Sequence, residues 1–464
     1  MGVEQRSGRE VEGVKTATTE ETAATVQPAT AATQAAEIQA RWAWVEPTVW
    51  NARMLTALEN GVKGGKWFSL IDKVYAMPNL RAAFMKVKVN KGAAGVDRQT
   101  ITMFEDRLEA NLQKLSQELR NGSYRPQPVR RKMIPKPGKR GEKRPLGIPT
   151  VRDRVAQAAV RNVIEPIYEK DFAAHSYGFR PGRGCKDALR RVSKLLEQGY
   201  TWVVDADLKS YFDTIPQQRL LERVRQKVSD GRVLELLQAY LQQPIMDQHK
   251  QWTPEEGTPQ GAVLSPLLSN IYLDPLDHRM AEEGYEMVRY ADDFVIMCRS
   301  EQEAQRALEK VQEWVEEVGL QLHPEKTRIA AANGDEGFEF LGYHFKSGMR
   351  FPRQKSIGKM QESLRQKTKR TSGVSLNVVI ENVNRTLRGW FEYFQHAHRN
   401  SFPTIDGWVR MRLRSILRKR RGGKGRGRGS DHQRWPNAYF MQQGLFSLAT
   451  AHAQRVSVLS KVNR

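Results

Sequence analysis

The segment from Met287 to Cys298 constrains the fold of this chain more than any other part of the sequence. Two apolar stretches, 287–290 and 294–298, flank Asp292 and Asp293, a pattern that predicts two antiparallel strands joined by a tight turn. Asp-Asp is a poor choice for such a turn, where Asp-Gly or Asn-Gly is preferred. Two adjacent carboxylates also repel each other unless cations neutralise them. The pair is therefore either an exposed acidic turn or part of a cation site.

A second acidic strand favours the cation site. Trp202-Val-Val predicts a short buried strand, and Asp205 and Asp207 follow on one face of it, because alternate residues of a strand share a face. If this strand pairs with the hairpin, Asp207 converges with Asp292 and Asp293. Three carboxylates suit two Mg²⁺ ions, with Mn²⁺ as a substitute, in the arrangement used for phosphoryl transfer. Asp205 is the alternative to Asp207.

The net charge indicates a polyanionic partner. The chain has 75 Lys and Arg against 52 Asp and Glu, a formal charge of +23. Residues 124–144 hold nine basic residues and one acidic residue, and residues 408–430 hold ten basic residues and no acidic one. Prolines in the first segment predict strands joined by a basic turn, and glycines in the second predict a helix that ends in a Gly/Arg stretch. Nucleic acid is the expected partner, and a solvated basic surface is the alternative.

Composition excludes several classes of protein. The two cysteines, Cys185 and Cys298, cannot build a disulfide framework or a four-cysteine zinc site, so we expect a reducing, cytoplasmic setting. No apolar run reaches the roughly 20 residues that cross a bilayer, and the N-terminus lacks the apolar core of a secretion signal, so we expect no membrane partner. Residues 1–40 hold six glutamates, three basic residues and many Ala and Thr, which predicts a disordered acidic tail.

Hydrophobic periodicity predicts an α+β architecture in which a mixed sheet is followed by a helical module. Residues 338–345 form a hairpin-like pattern, and nearly every pattern beyond about residue 355 is helical. Earlier helices are predicted at 153–170, 185–198, 261–281 and 301–319.

The acidic motifs resemble the catalytic palm of reverse transcriptases, and most closely that of the proteins encoded by bacterial group II introns. They read Tyr290-Ala-Asp-Asp293 and Asp207-Leu-Lys-Ser-Tyr-Phe-Asp213. The segments Asn384–Tyr393 and Trp408–Arg414 are similar to the maturase domain of that family, which is also called the thumb or X domain. Further blocks resemble the family in the family's own order, at 90–97, 144–154, 176–183, 257–270, 319–327 and 340–343.

The resemblance implies a right-hand polymerase, with fingers and a palm built on an antiparallel sheet, followed by an all-helical thumb or maturase domain. The expected divisions are an acidic tail (1–40), an N-terminal extension with the fingers (41–200), the catalytic palm (201–350), the helical thumb/maturase domain (351–420), and a basic Gly/Arg linker with a C-terminal segment (421–464). No cysteine pairs of a His-Asn-His endonuclease precede Arg464, so the chain resembles lineages that lack this domain, and we expect no second-strand cleavage.

The same resemblance implies an RNA-directed DNA polymerase that also binds its intron RNA and promotes splicing and retrohoming. Asp207, Asp292 and Asp293 would be catalytic and would hold the two metal ions together with the backbone of Leu208. Tyr211 would lie beneath the nucleotide sugar. The remaining nucleotide-binding candidates are Lys136, Arg144, Gln260 and Lys326. The RNA-binding candidates are Arg130, Arg131, Lys132, Arg410, Arg414, Arg418, Lys419, Arg420 and Arg421.

The implied partners are group II intron RNA, an RNA template with a DNA or RNA primer, deoxynucleoside triphosphates and target DNA. The implied location is the bacterial cytoplasm, at the nucleoid during integration, and the oligomeric state stays open. Two other functions stay open as well. The first is a domesticated or defence-linked bacterial reverse transcriptase that acts on another RNA, and the second is an RNA-binding maturase that serves splicing alone.

Overall fold

The computed structural model describes residues 31–135 and 141–462. The chain divides into two compact units, Met1–Ala43 and Trp44–Arg464. In the first unit, helix α1 covers Ala31–Arg41. This helix contradicts the prediction of disorder for residues 31–40. The alanines of the segment explain it, because alanine is the strongest helix former. The rest of the predicted tail, residues 1–30, lies outside the described residues.

The second unit contains all the other elements. Its helices are α2 (Ala52–Asn60), α3 (Ile71–Tyr75), α4 (Met77–Val89), α5 (Ile101–Glu105), α6 (Leu108–Asn121), α7 (Val151–Glu169), α8 (Cys185–Glu197), α9 (Tyr211–Thr214), α10 (Gln217–Arg225), α11 (Gly231–Leu241), α12 (Ser265–Glu282), α13 (Glu301–Glu317), α14 (Gln354–Lys367), α15 (Leu376–Phe394), α16 (Ser401–Arg420), α17 (Gly429–Arg434), α18 (Asn437–Gln442) and α19 (Leu448–Val462). Its strands are β1 (Val129–Pro135), β2 (Lys143–Ile148), β3 (Trp202–Asp207), β4 (Ile245–Asp247), β5 (Lys250–Trp252), β6 (Glu286–Tyr290), β7 (Asp293–Cys298), β8 (Arg328–Ala331), β9 (Phe338–Phe340), β10 (Tyr343–Lys346) and β11 (Met349–Pro352).

Local sequence signals explain where the helices begin and end. The side chain of Thr150 accepts a hydrogen bond from the backbone N–H of Asp153 and caps α7, and Ser300 caps α13 in the same way. Gly122 ends α6 in the left-handed conformation (φ 74°), which favours glycine. The predicted helices at 153–170, 185–198 and 301–319 are confirmed. The helix predicted at 261–281 begins later, at Ser265, so residues 258–264 form a loop in front of α12.

The central sheet has the strand order β6-β7-β3-β8 and is antiparallel throughout. The predicted pairing of the two acidic strands is confirmed, because β3 pairs with β7 and Asp207 lies directly opposite Asp293. Asp205 lies opposite Val295 on β7 and Arg328 on β8. The register therefore brings the carboxylates of two strands to one end of the sheet.

The structure contains two other sheets, one of which includes β4 and β5 from the segment between β3 and β6. The N-terminal sheet has the order β2-β1-β4-β5, in which β1 and β2 are antiparallel and β1 and β4 are parallel. The small sheet has the order β11-β10-β9 and is antiparallel. This is the α+β architecture that the periodicity predicts, followed by the helices α14–α19.

One face of the central sheet carries both core residues and carboxylates. Val203, Val295 and Met297 of that face are fully buried in a single hydrophobic cluster with residues of α8, the small sheet and the C-terminal helices. Because alternate residues share a face, Asp207 and Asp293 project from the same face, beyond the apolar end of the strands. The core thus covers most of this face and leaves its acidic end partly exposed, with 31% of the Asp207 side chain accessible.

The C-terminal helices belong to the same cluster. Val383 and Leu387 of α15 and Phe402 of α16 are fully buried in it, and it extends through Phe440 to Leu448. The described part of the predicted C-terminal segment, residues 421–462, therefore packs against α15 and α16. None of the helices that the structure describes is long and apolar enough to span a membrane.

Candidate active site

The turn that carries Asp292 is held in an unusual conformation. Ala291, the first residue of the two-residue turn between β6 and β7, has φ 61°, a left-handed value that glycine would normally supply. Arg289 stabilises this turn, because its Nη1 donates a hydrogen bond to the carbonyl of Ala291 at 2.8 Å. Arg289 is fully buried, and its guanidinium also donates to Asp277 of α12 (Nε–Oδ1 2.8 Å) and to Asn270 (Nη1–Oδ1 3.0 Å). The turn is thus fixed by a buried ionic network.

A second segment, 175–180, packs against the same hairpin. The backbone N–H of Tyr177 donates to the carbonyl of Arg289 (2.9 Å), and the N–H of Arg289 donates to the carbonyl of His175 (3.0 Å). Gly178 lies so close to the turn that a Cβ atom there would stand 2.1 Å from the backbone nitrogen of Ala291. A side chain at this position would displace the turn. The predicted block at 176–183 therefore serves as a support for the acidic turn.

The carboxylates at the open end of the sheet destabilise one another. Burial and, after it, the neighbouring carboxylates of Asp205, Asp292 and Asp207 raise the pKa of Asp293 to about 7. Burial also raises the pKa of Asp205 to about 6 and raises the pKa of Asp292. A site that disfavours its own ionised form in this way needs compensating positive charge.

Lys326 supplies part of that charge. Its Nζ forms an ion pair with Oδ2 of Asp207, and the loop that carries it is tied to β3, because the N–H of His323 donates to the carbonyl of Asp207 at 2.7 Å. More than half of the Lys326 side chain is exposed, so the lysine can leave when another cation arrives. Asp205 has a different partner, Arg328, at 3.8 Å.

The donor set fits divalent metal ions. Carboxylate oxygens are the ligands that Mg²⁺ prefers, and burial raises the pKa of Asp292 and Asp293, an effect that a bound cation would oppose. Within residues 31–135 and 141–462, no three His, Cys, Asp or Glu side chains are already gathered as a metal site. Lys326 forms an ion pair with Asp207, so the site is an acidic cluster in which one carboxylate oxygen of Asp207 is paired with a lysine.

A pocket of about 260 Å³ lies between the N-terminal sheet and the loop before α12. Phe212, Asp213 and Gln260 line it, together with Arg131 and Trp252 at its outer side. Nε2 of Gln260 donates to both carboxylate oxygens of Asp213 at 3.1 Å. The predicted nucleotide-binding residue Gln260 is thus on the pocket wall.

The glycines of the loop before α12 approach protein backbone. A Cβ atom on Gly261 (φ 104°) would stand 2.4 Å from the carbonyl oxygen of Gly147 on β2, and one on Gly257 would stand 2.7 Å from that of Phe212. The backbone N–H of Gly147 also donates to the carbonyl of Gln260 at 2.7 Å. These glycines let the loop join β2 to the segment that follows β3.

The structure buries the predicted nucleotide-binding residue Tyr211. Its side chain is 2% exposed, and its hydroxyl donates to the carbonyl of Ser269 on α12 at 2.8 Å, so it is a core residue with a satisfied polar group. The next residue, Phe212, faces the pocket instead. Both begin the short helix α9, which follows Ser210 in the left-handed conformation (φ 51°). The absence of a hydroxyl on Phe212 was the one sequence signal that favoured it for an apolar wall.

The remaining nucleotide-binding candidates are divided. Lys136 lies outside the described residues. Arg144 is an exposed residue of β2, opposite Ile134 of β1. Lys326 is at the carboxylates, as described above. The structure therefore brings Gln260 and Lys326 to the two parts of the site and leaves Arg144 on the strand that borders it.

Comparisons with known proteins agree with this geometry. A reverse transcriptase (RNA-dependent DNA polymerase) family model matches residues 134–345, and a group II intron maturase-specific domain model matches residues 357–435. The chain is 38% identical to protein YkfC of Escherichia coli over 295 residues, which cover 55% of this chain and 76% of that protein. The chain belongs to the group II intron reverse transcriptase/maturase family.

Other relatives are matched over a smaller share of their length. The group II intron-encoded protein LtrA of Lactococcus lactis is 39% identical over 197 residues, which cover 42% of this chain and 32% of LtrA. Among solved structures, the partial Cas6-RT-Cas1–Cas2 complex aligns with a TM-score of 0.35 at 26% identity, over 54% of this chain and 42% of that chain. The reverse transcriptase match includes the whole central sheet, which is accordingly the palm of an RNA-directed DNA polymerase domain, and the maturase-specific match runs from α14 to α17, which form the maturase region.

Palm and maturase region meet beside the carboxylates. A pocket of about 530 Å³ there is lined by Asp293, by Arg353 and Lys359 at the start of α14, and by Trp390 and Tyr393 of α15. The hydroxyl of Tyr393 donates to the carbonyl of Leu341 at 2.6 Å and fixes α15 to the small sheet. The pocket opens on the acidic end of the palm and has a basic wall.

Several predicted RNA-binding residues are used inside the protein. Arg414 is 3% exposed and donates to the carbonyl of Trp435 (2.9 Å) and to Oδ1 of Asn437 (2.8 Å). For Arg414 the prediction is therefore wrong. Arg130 donates twice to the carbonyl of Ala94 (2.6 and 3.1 Å), and Arg131 pairs with Asp247 (3.3 Å). These arginines fasten neighbouring segments to one another.

The other predicted RNA-binding residues are more exposed. Arg418 forms an ion pair with Asp431 at 2.6 Å, and Arg420 donates to the carbonyl of Val374. Arg410 is half-buried at the middle of α16. The exposed members of the set are Lys132 on β1 and, at the end of α16, Lys419, Arg420 and Arg421.

A basic groove that sequence reasoning missed lies between α14 and α16. It has a volume of about 550 Å³, and the described residues that line it include five cationic and no acidic side chains. Burial and repulsion from Arg365 and Arg370 lower the pKa of Arg412. Nε of Arg412 donates to Oγ1 of Thr368 at 2.9 Å, which fixes its position. The cationic residues of the basic groove are Arg365, Lys369, Arg370, Arg412 and Arg426.

Proposed function

We propose that this protein copies RNA into DNA and that it also binds its host group II intron RNA to promote splicing and retrohoming. The observation that supports the polymerase most strongly is the register of the palm, in which Asp207 lies opposite Asp293, beside the turn residue Asp292. The family supplies the reaction class, and the acidic end of the palm supplies the chemistry. The intron role rests on the maturase-specific region at 357–435 and on its basic groove.

Asp207, the backbone of Leu208, Asp292 and Asp293 would hold two Mg²⁺ ions, with Mn²⁺ as a substitute. When bound, the ions neutralise the triphosphate and lower the pKa of the primer 3′-hydroxyl. Asp207 is preferred to Asp205 because it faces Asp293, whereas Asp205 faces Val295 and pairs with Arg328. Lys326 would leave Asp207 as the ions enter and would then be available to the leaving pyrophosphate.

Two pockets suit the two substrates, and one of them is lined by Asp293. The pocket of Phe212 and Gln260 would take the incoming nucleoside triphosphate, with the neighbouring Tyr211 as the candidate beneath its sugar. The pocket between Asp293 and α14–α15 would take the primer end, with Arg353 and Lys359 near its phosphates. Lys136 and Arg144 remain the candidates for the triphosphate.

The polymerase is tested with purified protein on a primed RNA template. We expect Asp292→Ala with Asp293→Ala to abolish cDNA synthesis without weakening RNA binding, since carboxylates do not attract phosphates. Asp207→Asn should do the same, whereas Asp205→Asn should retain activity. Mg²⁺ should raise the unfolding temperature of the wild type and not of the double variant, because ligands stabilise the state that binds them. Retained synthesis in the double variant would contradict the metal assignment.

The intron role is tested by the salt dependence of RNA binding. Arg370 and Arg426 are exposed residues of the basic groove, and their replacement by Ala removes two cationic side chains from it. We expect the slope of log K against log salt to fall by about two, roughly one per lost phosphate contact. The matched control is Lys63→Ala with Lys66→Ala, an exposed pair outside the maturase-specific region, which makes the same change in charge. An equal change in slope for both pairs would mean that the groove has no special role.

A further inference from the structure

The turn between β9 and β10 has a strained backbone. Its two central residues are Leu341 and Gly342, because Phe340 pairs with Tyr343 across it. Both residues are left-handed, with φ 45° and φ 85°. A two-residue turn of this kind favours Asn-Gly, and leucine is a poor first residue because its Cβ is crowded in this conformation. Strained conformations persist only where the surrounding structure enforces them, and they concentrate at functional sites.

The C-terminal helices hold both carbonyls of this turn. The hydroxyl of Tyr393 on α15 donates to the carbonyl of Leu341 at 2.6 Å. The carbonyl of Gly342 accepts hydrogen bonds from the backbone N–H of Arg353 at 2.9 Å and from Oγ of Ser356 at 3.2 Å, at the start of α14. The strained residue Leu341 is thus held by a hydroxyl group of the maturase region.

Tyr393 is itself fixed in place. Its backbone carbonyl accepts a hydrogen bond from the hydroxyl of Tyr343 at 2.7 Å, and its ring contacts those of Tyr343 and Phe394, with centroids 5.9 and 4.8 Å away. Burial raises the pKa of Tyr393, so its hydroxyl keeps the proton that it donates. The hydroxyl therefore has a defined position, and the turn takes its own position from it.

The turn forms part of the pocket between Asp293 and α14–α15. Leu341 and Gly342 line this pocket together with Asp293, Arg353 and Lys359. The two cations suit phosphates, whereas the turn offers an apolar surface near the carboxylate. A displacement of the turn would therefore move a bound strand end relative to Asp293 without removing any charge from the pocket.

We propose that Tyr393 is a positioning residue for the primer end, because its hydroxyl fixes the Leu341–Gly342 turn on which that end rests. The proposal rests on the proposed function, in which this pocket takes the primer end. Tyr393 acts through Leu341, whose carbonyl it holds. Small misplacements of reacting groups cost rate, so loss of this hydrogen bond should slow nucleotide addition more than it weakens binding of the primed template.

The test is Tyr393→Phe, which removes one oxygen atom and keeps the ring. In single-turnover extension of a primed RNA, we expect the rate constant for nucleotide addition to fall about tenfold, the scale of one hydrogen bond lost from a partly buried acceptor. The affinity for the primed RNA, measured by fluorescence anisotropy, should stay within about twofold, because Arg353 and Lys359 remain. A merely structural role would lower the unfolding temperature or the fraction of protein that binds RNA, and would leave the rate constant of the bound protein unchanged.

A second background separates positioning from direct contact. Glycine suits φ 45°, so in Leu341→Gly the turn no longer needs the hydroxyl to hold its conformation. In that background we expect Tyr393→Phe to change the rate constant less than about threefold. An equal tenfold fall in both backgrounds would mean that Tyr393 contacts the primer directly, and it would overturn the proposal.

Tyr168→Phe is the matched control. The hydroxyl of Tyr168 on α7 likewise donates to a backbone carbonyl, that of Val224 at 2.9 Å, and Tyr168 does not line the pocket. Its rate constant should equal that of the wild type. An unchanged rate constant in Tyr393→Phe would overturn the proposal while cDNA synthesis by the wild type upholds the proposed function. A wild type that makes no cDNA would instead contradict the proposed function itself.

Discussion

Replacement of Arg289 by Met should separate the stability of the palm from the placement of its acidic turn. Arg289 is fully buried, and its pKa is raised because Asp277 outweighs the opposing effect of burial. The substitution leaves the carboxylate of Asp277, 6% exposed, without its partner. Removal of one member of a buried pair costs about 3–5 kcal/mol of unfolding free energy, a large part of the roughly 5–15 kcal/mol that domains have.

A second substitution isolates the origin of this loss. In Arg289→Met with Asp277→Leu no buried charge is left unpaired, so most of the loss should be recovered. Oδ1 of Asn270 and the carbonyl of Ala291 still lack their donor, so a deficit of about 1–3 kcal/mol should remain. Since the carbonyl of Ala291 is no longer held, the double variant should also have a lower kcat for nucleotide addition than the wild type.

Urea denaturation followed by far-ultraviolet circular dichroism measures the stability, and single-nucleotide extension of a primed RNA measures kcat. The reasoning is refuted if Arg289→Met costs less than about 1 kcal/mol, or if the double variant is as unstable as the sum of the two single variants. Wild-type kcat in a stable double variant would refute the positional role alone.

Two further predictions concern packing. Gly178→Ala should cost about 1–3 kcal/mol of unfolding free energy and most of the polymerase activity, because its Cβ would meet the backbone of Ala291. The control Gly358→Ala has open space around it on α14, so it should add about 0.5–1 kcal/mol of stability and keep activity. Urea denaturation and primer extension measure both variants, and equal effects would be inconsistent with the close contact at Gly178. Burial raises the pKa of Cys298 to about 12, so a thiol reagent at pH 8 should modify Cys185 alone in the native protein and both cysteines in urea. Rapid modification of Cys298 in the native protein would contradict its burial.

The sequence was sufficient to predict the palm because its signals are local and periodic. The period of two in 202–207 and 293–298 predicts which residues share a face, and the apolar stretches around Asp292 and Asp293 predict the hairpin. The choice between Asp205 and Asp207 required the register of β3 against β7, which depends on pairing across about 90 residues of chain. Period alone puts both on the same face.

Predictions that depended on the direction of a single side chain were less accurate than those that depended on periodicity. Tyr211 and Phe212 are adjacent at the start of a four-residue helix, and the sequence does not say which of them turns inward. Arg414 lies on a helix with a strong basic pattern, yet Trp435 and Asn437 bury it from more than 20 residues farther along the chain. The basic groove likewise depends on α14 and α16 lying side by side, which the charge runs do not reveal.

The shared core of palm and maturase region limits how this protein can diversify. Val295 and Met297 of β7 pack in the same cluster as Val383 and Leu387 of α15. A maturase region inherited from another lineage would have to match side chains on strands far away in the sequence. Recombination at the loop before α14 would therefore yield hybrids with a mismatched core, and the two regions should be inherited together. A change in RNA preference should then evolve on the outer faces of α14 and α16, while residues on their inner faces change only together with those of the palm.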